Sequence, residues 1–272
     1  MEQDSYINGA QPPREIARSA ERLGVAKAKT DVVTLLVLAV LAGAFISLGA
    51  LFFTVVVTGS ELGFGITRLI GGMVFCLGLI LVVVAGAELF TGNNLIAMAW
   101  ASRLVTTREV ARNWLLVYVG NVIGCLGTVF LVVLAVVASL GGGAVGETAL
   151  QIARTKAELD PMEAFARGIL CNALVCLAVW LAIGGRSLAD KVVAMLFPIA
   201  AFVAMGFEHS IANWFFLPLG LAVDAHGAVS ISGAGMNIVA VTAGNVVGGT
   251  LLVAGVYWVA YLRGERMKED RL

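Results

Sequence analysis

Charged residues are scarce in this chain. Only 13% of its 272 residues are Asp, Glu, Lys or Arg, whereas 60% are hydrophobic and the mean hydropathy is +0.94. Because a soluble domain carries about 25% charged residues, this composition excludes an ordinary soluble protein and indicates a protein embedded in a membrane. The 18 basic and 18 acidic residues balance, so no excess positive charge favours binding to nucleic acid.

Histidine and cysteine are also scarce. Two histidines are too few for a cluster, and no spacing is typical of metal ligands, so we expect neither a metal nor a cofactor. The four cysteines lie inside apolar runs, where we expect packing rather than disulfide formation. They are Cys76, Cys125, Cys171 and Cys176.

Six apolar segments are near or above the ~20 residues that a helix needs to cross a bilayer. They cover about Val32–Val57, a stretch from Leu69, Trp114–Leu140, Ala164–Ile183, a stretch from Val192, and Met236–Leu262. The second is interrupted at Gly86–Asn94 and the fifth at Gly206–Asn213. We therefore predict an all-α membrane protein of six transmembrane helices, with helices two and five broken where they line a cavity or pack into protein.

Positive charge is distributed unevenly around these segments. Fourteen Lys and Arg residues lie on the side of the two termini, against three in the opposite loops, which places both termini in the cytoplasm. We divide the chain into a cytoplasmic segment 1–30, a pore domain 31–262 and a cytoplasmic tail 263–272. Within the first segment, Pro13–Lys29 fits either an amphipathic helix on the inner membrane face or a solvated arm.

Two patterns occur twice in the sequence. Gly86-x-Glu88-x4-Asn93 recurs 120 residues later as Gly206-x-Glu208-x4-Asn213, and the Gly-Asn-Val-x-Gly pattern around Asn121 recurs 124 residues later around Asn245. Each half holds three segments, so the second half enters the membrane from the opposite side. This predicts two inverted three-helix repeats with a site near the midplane. The glycines are expected to allow close helix packing, and the buried amides to need partners.

Three ionisable residues, Glu88, Glu208 and His209, lie in the two interruptions. Holding such a group at membrane depth costs roughly 2.5 kcal/mol or more, so the default interpretation is that they line a substrate path. For the two glutamates the alternative is a structural role, in which each caps the backbone N–H groups exposed at its break.

The interrupted and repeated segments resemble the formate/nitrite transporter family of anion channels and transporters. The matching stretches are Phe75–Leu81, Gly86–Asn93, Gly168–Ala178, Gly206–Asn213 and Gly244–Gly249. The resemblance implies an aquaporin-like protomer, a homopentamer with one pore per protomer, and a place in the bacterial inner (cytoplasmic) membrane. It implies transport of a small monovalent anion rather than enzyme activity. Formate matches best, and nitrite, hydrosulfide and lactate, which relatives handle, stay open.

Carried over residue by residue, the resemblance also implies a set of site residues. The substrate pore would contain His209, Thr91, Asn172, Glu208 and the outer-vestibule lysine Lys156. The apolar constrictions would contain Leu79, Phe75, Phe90, Val175, Phe202 and Phe207. We expect a supporting role for Glu88, Asn93, Asn213, Asn121 and Asn245.

The expected mechanism centres on His209. An anion in an apolar constriction is strongly disfavoured, and the imidazole would relieve this by protonating the anion or by acting as a polar gate. The alternative is a core histidine that hydrogen bonds to Asn172 and only fixes the loop. A neutral-solute channel and an intramembrane enzyme using Glu88, Glu208 and His209 also stay open, although the paired Asn-Pro-Ala of water channels is absent.

Overall fold

The computed structural model describes residues 9–264, and its regular structure is helical. Five helical stretches are long and apolar enough to cross a membrane, which confirms the prediction of an all-helical membrane protein. They are α2 (Val32–Val57), α3 (Phe64–Val84), α5 (Thr107–Leu134), α7 (Pro161–Gly184) and the stretch Ile231–Leu262, which begins with α10 (Ile231–Val247) and continues in π-helical turns at Gly248–Gly255 and Trp258–Leu262.

Shorter helices connect and complete these stretches. They are α1 (Pro13–Lys29), α4 (Ala97–Ala101), α6 (Ala144–Ala157), α8 (Leu188–Ala204) and α9 (Ser210–Val223), with 3-10 turns at Gly92–Ile96 and Val137–Gly143. The apolar helix α9 has 14 residues, fewer than a spanning helix needs, and it follows α8 after a short non-helical stretch.

Five helices, α3, α5, α7, α8 and α10, begin three to seven residues before their predicted starts. Hydropathy misses a polar first turn that belongs to the helix. Before α5, the Thr106 side chain accepts a hydrogen bond from the Glu109 N–H while the Glu109 carboxylate accepts from the Thr106 N–H. Before α8, Ser187 and Asp190 form the same reciprocal pair. The predicted end of α5 at Leu140 is also wrong, because Val136 adopts a left-handed φ of 53°.

The two predicted interruptions are present, but their predicted ends at Asn94 and Asn213 are wrong, because both residues lie in helical structure. Helix α3 ends at Val84, and helical structure resumes only at Gly92; α8 ends at Ala204, and α9 begins at Ser210. Gly86 and Gly206 have φ of 83° and 73°, a left-handed conformation that terminates the preceding helix and that side chains rarely adopt. We call residues 85–91 the α3 break and residues 205–209 the α8 break.

The long helices pack in two related groups. Helix α2 lies against α3 and α5, α7 lies against α8 and α10, and α3 contacts α8 between the groups. A Cβ atom on Gly124 would lie 2.9 Å from the Ala44 nitrogen, and one on Gly248 would lie 2.9 Å from the Ile169 carbonyl carbon. These glycines therefore permit close backbone approach, as predicted for the repeated Gly-Asn-Val-x-Gly pattern.

Helices α1 and α6 have small buried faces. Helix α1 covers the predicted range and packs on protein, with Ile16, Ala17 and Ala20 in a cluster that includes Trp180 and Leu262. Helix α6 was not predicted. Its signal is a small apolar residue at every fourth position, and all four are buried: Val145, Ala149, Ala153 and Ala157. Residues 1–8 of the predicted N-terminal segment and 265–272 of the predicted tail lie outside the described residues.

Candidate functional site

Each break is supported by an asparagine from a neighbouring long helix. On α5, the Asn121 Oδ1 atom accepts from the Phe90 N–H at 2.9 Å, and Nδ2 donates to the carbonyls of Ala39 and Glu88. On α10, the Asn245 Oδ1 atom accepts from the Ser210 N–H at 2.9 Å. Its Nδ2 donates to the carbonyls of Gly168 and Glu208. The two amides therefore satisfy backbone groups of the breaks that lack helical partners, and the bonds to Ala39 and Gly168 connect each break to a neighbouring helix.

The two glutamates form a second matched set of contacts. Glu88 accepts from Lys27 Nζ at 2.6 Å and from Asn93 Nδ2 at 2.7 Å. Glu208 accepts from Lys156 Nζ at 2.8 Å and from Asn213 Nδ2 at 2.6 Å. Among residues 9–264, these carboxylates bind the side chains of lysine and asparagine and no backbone N–H group, so the expected caps are wrong. A structural role for the two glutamates stays a prediction.

A further asparagine in each half binds both the asparagine and the lysine that contact the glutamate. Asn113 accepts from Asn93 and donates to the Lys27 carbonyl at 2.9 Å. In the other half, Asn237 accepts from Asn213 and donates to the Lys156 carbonyl at 2.9 Å. Sequence reasoning missed Lys27, Asn113 and Asn237. Asn113 and Asn237 are separated by 124 residues, the same offset as Asn121 and Asn245, and a search for polar residues at that offset finds them.

Thr91 and His209 meet between the two breaks. The His209 Nε2 and Thr91 Oγ1 atoms are 3.0 Å apart, and both side chains are buried. The His209 Nδ1 atom accepts from the Ala212 N–H at 3.1 Å, so His209 is the N-cap of α9. Since Nδ1 is an acceptor, the neutral ring carries its hydrogen on Nε2 and donates it to Thr91.

Asn172 makes its hydrogen bonds with other residues. Its Nδ2 atom donates to Asn94 Oδ1 at 2.7 Å and to the Asn245 carbonyl at 2.6 Å. The bonds described for His209 are to Thr91 and Ala212, so the alternative of a histidine anchored by Asn172 does not match the geometry. Asn172 instead connects the loop after the α3 break to α10.

Two cavities approach the pair from opposite sides. The α1-side cavity has a volume of about 680 Å³ and is lined by residues that include Lys27, Leu79 and Glu88. The α6-side cavity has a volume of about 220 Å³, and its lining includes Lys156, Glu208 and His209. The two cavities share no lining residue, so they are separate in this structure.

The aromatic candidates for constriction residues occupy different places. Phe75, Phe202 and Phe207 line the α6-side cavity with His209. The Phe202 ring is stacked on the imidazole at a centroid distance of 6.0 Å and makes an edge contact with Phe75. Phe90 lines neither cavity and packs edge-on against Tyr118 at 4.9 Å.

The aliphatic candidates also separate. Leu79 lines the α1-side cavity and is 2% exposed. Val175 is buried in the hydrophobic core and lines neither cavity. Of the constriction candidates, Phe75, Phe202 and Phe207 therefore line the α6-side cavity, and Leu79 lines the α1-side cavity.

Comparison with known proteins assigns this arrangement to a family. The family model described as "Formate/nitrite transporter" matches residues 14–259. The chain belongs to the formate/nitrite transporter family. It is therefore a multi-pass membrane transport protein and not an enzyme, as the sequence analysis predicted.

Two curated relatives show the extent of the similarity. The "Formate channel FocA" of Escherichia coli (strain K12) is 42% identical over 269 residues, covering 92% of this chain and 94% of the relative. The "Probable formate transporter" of Methanothermobacter thermautotrophicus is 38% identical over 270 residues, covering 92% and 97%.

Solved structures agree with this assignment. A structure described as a "Pentameric formate channel with formate bound" is similar with a TM-score of 0.79 and 39% identity, covering 85% of this chain and 98% of that one. A second, described as an "FNT family ion channel", gives a TM-score of 0.81 and 27% identity, with coverage of 90% and 98%. The resemblance found in the repeated motifs is confirmed.

Proposed function

We propose that this protein is a channel for small monovalent anions and that formate is its substrate. The observation that carries the proposal is the hydrogen bond between Thr91 and His209, a polar pair set against Phe202 at the closed end of a cavity. The names of relatives that are about 40% identical support formate over nitrite, hydrosulfide and lactate. The wholly buried polar pair offers a hydrogen bond where the rest of the barrier offers none.

The proposed architecture is that of two inverted repeats. The first contains α2, α3 with its continuation through the break into α4, and α5; the second contains α7, α8 with its continuation into α9, and the stretch Ile231–Leu262. The contacts of Asn121 match those of Asn245, and the contacts of Glu88 match those of Glu208. This match supports the relation between the two repeats. The proposal includes an aquaporin-like protomer of six spans, a pore domain 31–262 and assembly as a homopentamer.

We place both termini in the cytoplasm of a bacterial inner membrane, so that the α1-side cavity faces inward and the α6-side cavity faces outward. The excess of Lys and Arg on the terminal side supports this orientation. Lys156 and Lys27 then stand at the two approaches to the barrier. Each lysine is paired with a glutamate, so each approach offers an ammonium whose charge is partly balanced.

His209 acts in this proposal as a neutral hydrogen-bond donor. Its Nδ1 atom is occupied by the Ala212 N–H, so adding a second ring proton would break the N-cap of α9. The Nε2–H group is free to exchange Thr91 for a carboxylate oxygen without altering that cap. The anion therefore receives a hydrogen bond at the barrier, and the polar gate is favoured over proton transfer from the ring.

Flux through purified protein tests the function. The chain is reconstituted into liposomes, and uptake of labelled formate, nitrite, hydrosulfide, lactate and glycerol is measured with and without a pH gradient. We expect formate to enter much faster than glycerol and faster than the other anions, with protein-free liposomes as the control. Glycerol uptake that exceeds formate uptake would instead support the neutral-solute channel.

A further inference from the structure

The end of α8 in the α6-side cavity is covered by two arginines. Arg68 Nε donates to the Ala204 carbonyl at 3.1 Å, and Arg68 Nη2 donates to the Val203 carbonyl at 2.6 Å. Arg167 Nη1 donates to the Gly206 carbonyl at 3.2 Å. A helix C-terminus carries a partial negative charge that repels anions, and these guanidinium groups neutralise it.

We infer that Arg68 and Arg167 form an anion-binding site in the α6-side cavity, where a small carboxylate is held before it reaches His209. The inference rests on the proposed function, since it assigns that function's substrate a loading site. Both arginines line the cavity together with Lys156 and Glu208.

The guanidinium groups have donors left for a ligand. Each has five N–H groups, of which Arg68 uses two on backbone carbonyls. Arg167 uses one on the Gly206 carbonyl and one on Glu163, whose side chain is half-exposed. Within residues 9–264, the remaining three N–H groups of each have no hydrogen-bond partner. The planar donor pattern of arginine matches a carboxylate, which two parallel N–H groups bind.

The charge of the cavity lining favours the same ligand. Its charged residues are three cations, Arg68, Lys156 and Arg167, and one anion, Glu208, which is already paired with Lys156. A concave surface of low dielectric concentrates such a field and raises the local concentration of oppositely charged solutes. The two arginines therefore act on an incoming anion without competition from an unpaired carboxylate of the lining.

The α1-side cavity does not repeat this feature. The offset of 120 residues that relates the two breaks pairs Arg68 with Leu188. The offset of 129 residues that relates Lys27 to Lys156 pairs Arg167 with Leu38. Leucine has no hydrogen-bond donor, so neither related position supplies a guanidinium. The pair of arginines at the helix end is thus particular to the α6 side, although Arg22, Lys27 and Lys191 line the α1-side cavity. Its loss should affect entry from the α6 side more than entry from the α1 side.

Uptake of labelled formate into oriented membrane vesicles tests the site. We expect R68Q/R167Q to raise the half-saturating formate concentration roughly three- to tenfold in right-side-out vesicles and less than about twofold in inverted vesicles. The difference should shrink as ionic strength rises from about 0.01 to 0.15 M, since the Debye length falls from ~30 to ~8 Å. R154Q is the matched control, because Arg154 is on α6 near the same cavity but does not line it.

R68K/R167K separates charge from support of α8. Lysine keeps the charge but loses the fork of donors, so we expect a half-saturating formate concentration above that of wild type but clearly below that of R68Q/R167Q at low salt. Equal impairment of the Lys and Gln variants would overturn the site, leaving only a structural role at the end of α8. An unchanged half-saturation in R68Q/R167Q would overturn it as well. Wild-type vesicles that take up no formate would defeat the proposed function itself, a result distinct from either.

Discussion

The α3 break and the α8 break have the same supports but different residues facing the barrier. Asn121 and Asn245 hold the two loops by the same three bonds, and Glu88 and Glu208 bind lysine and asparagine in the same way. Their neighbours differ: Leu89 stands where the second half has His209, and Ile211 stands where the first has Thr91. The scaffold is therefore duplicated, whereas each half contributes one member of the central polar pair.

The two Lys–Glu pairs provide the largest expected effect. Lys156 and Glu208 have side-chain exposures of 13% and 5%, against 32% and 12% for Lys27 and Glu88. Because K156M leaves a buried carboxylate without its partner, we expect a loss of about 3–5 kcal/mol in the free energy of unfolding, and a smaller loss for K27M. Unfolding in mixed micelles titrated with SDS measures both.

A double variant sharpens this first test. K156M/E208Q removes the stranded charge, so we expect it to recover much of the stability that K156M loses. Equal losses in K27M and K156M would contradict the view that burial distinguishes the two pairs. A double variant no more stable than K156M would show that the lysine acts through something other than its charge.

The supporting asparagines should give the next largest effect. N121A and N245A each leave one backbone N–H and one carbonyl of a break unsatisfied, and we expect each to lose about 2–3 kcal/mol in the free energy of unfolding. The losses should be similar, because the contacts are matched. SDS titration again reports the result, and a variant that loses less than about 0.5 kcal/mol would break the equivalence of the two supports.

Much of this scaffold follows from sequence alone. The interruptions, the repeated glutamate motifs and the paired asparagines are visible as spacings, because repeated motifs keep a constant offset even where hydropathy is uniform. The predicted helix starts are less accurate, because polar caps such as Thr106 and Ser187 begin a helix several residues before the apolar stretch that marks a span.

Other parts of the site depend on tertiary contacts that no spacing in one segment reveals. Lys27 reaches Glu88 across 61 positions of sequence, from a helix that charge and periodicity could equally assign to a solvated arm. The aromatic and aliphatic candidates share one chemical character, so sequence does not separate Phe90 on Tyr118 or Val175 in the core from Phe202 beside His209.

The first half's contribution to the polar pair is tested by T91V. This change removes, at nearly constant volume, the hydroxyl that can donate to an anion once the anion has replaced it on the His209 Nε2–H. One hydrogen bond of about 1 kcal/mol corresponds to roughly a fivefold change in rate. We expect formate uptake in proteoliposomes to slow by about that factor. T128V is the control, because the Thr128 hydroxyl bonds within α5 to the Gly124 carbonyl. Equal slowing by both variants would argue against a special role for Thr91.

The smallest effect is expected at a surface ion pair on α6. Arg154 and Glu158 are 2.8 Å apart with side-chain exposures of 52% and 60%. Solvent and salt screen such a pair, so E158Q should change the free energy of unfolding by no more than about 0.5 kcal/mol. The same SDS titration checks this, and a loss as large as that of K156M would undermine the distinction between buried and exposed pairs.

His209 is the residue that the second half contributes to the polar pair, and the proposed function depends on it. Uptake of labelled formate by H209N and H209L at two pH values tests it most directly. Asparagine can both cap α9 and donate a hydrogen bond, so we expect H209N to retain much of the rate and the wild-type pH dependence. H209L, which has no donor, should conduct more than about tenfold more slowly. A leucine variant that conducts formate as fast as wild type would contradict the account, as would an asparagine variant that loses its pH dependence.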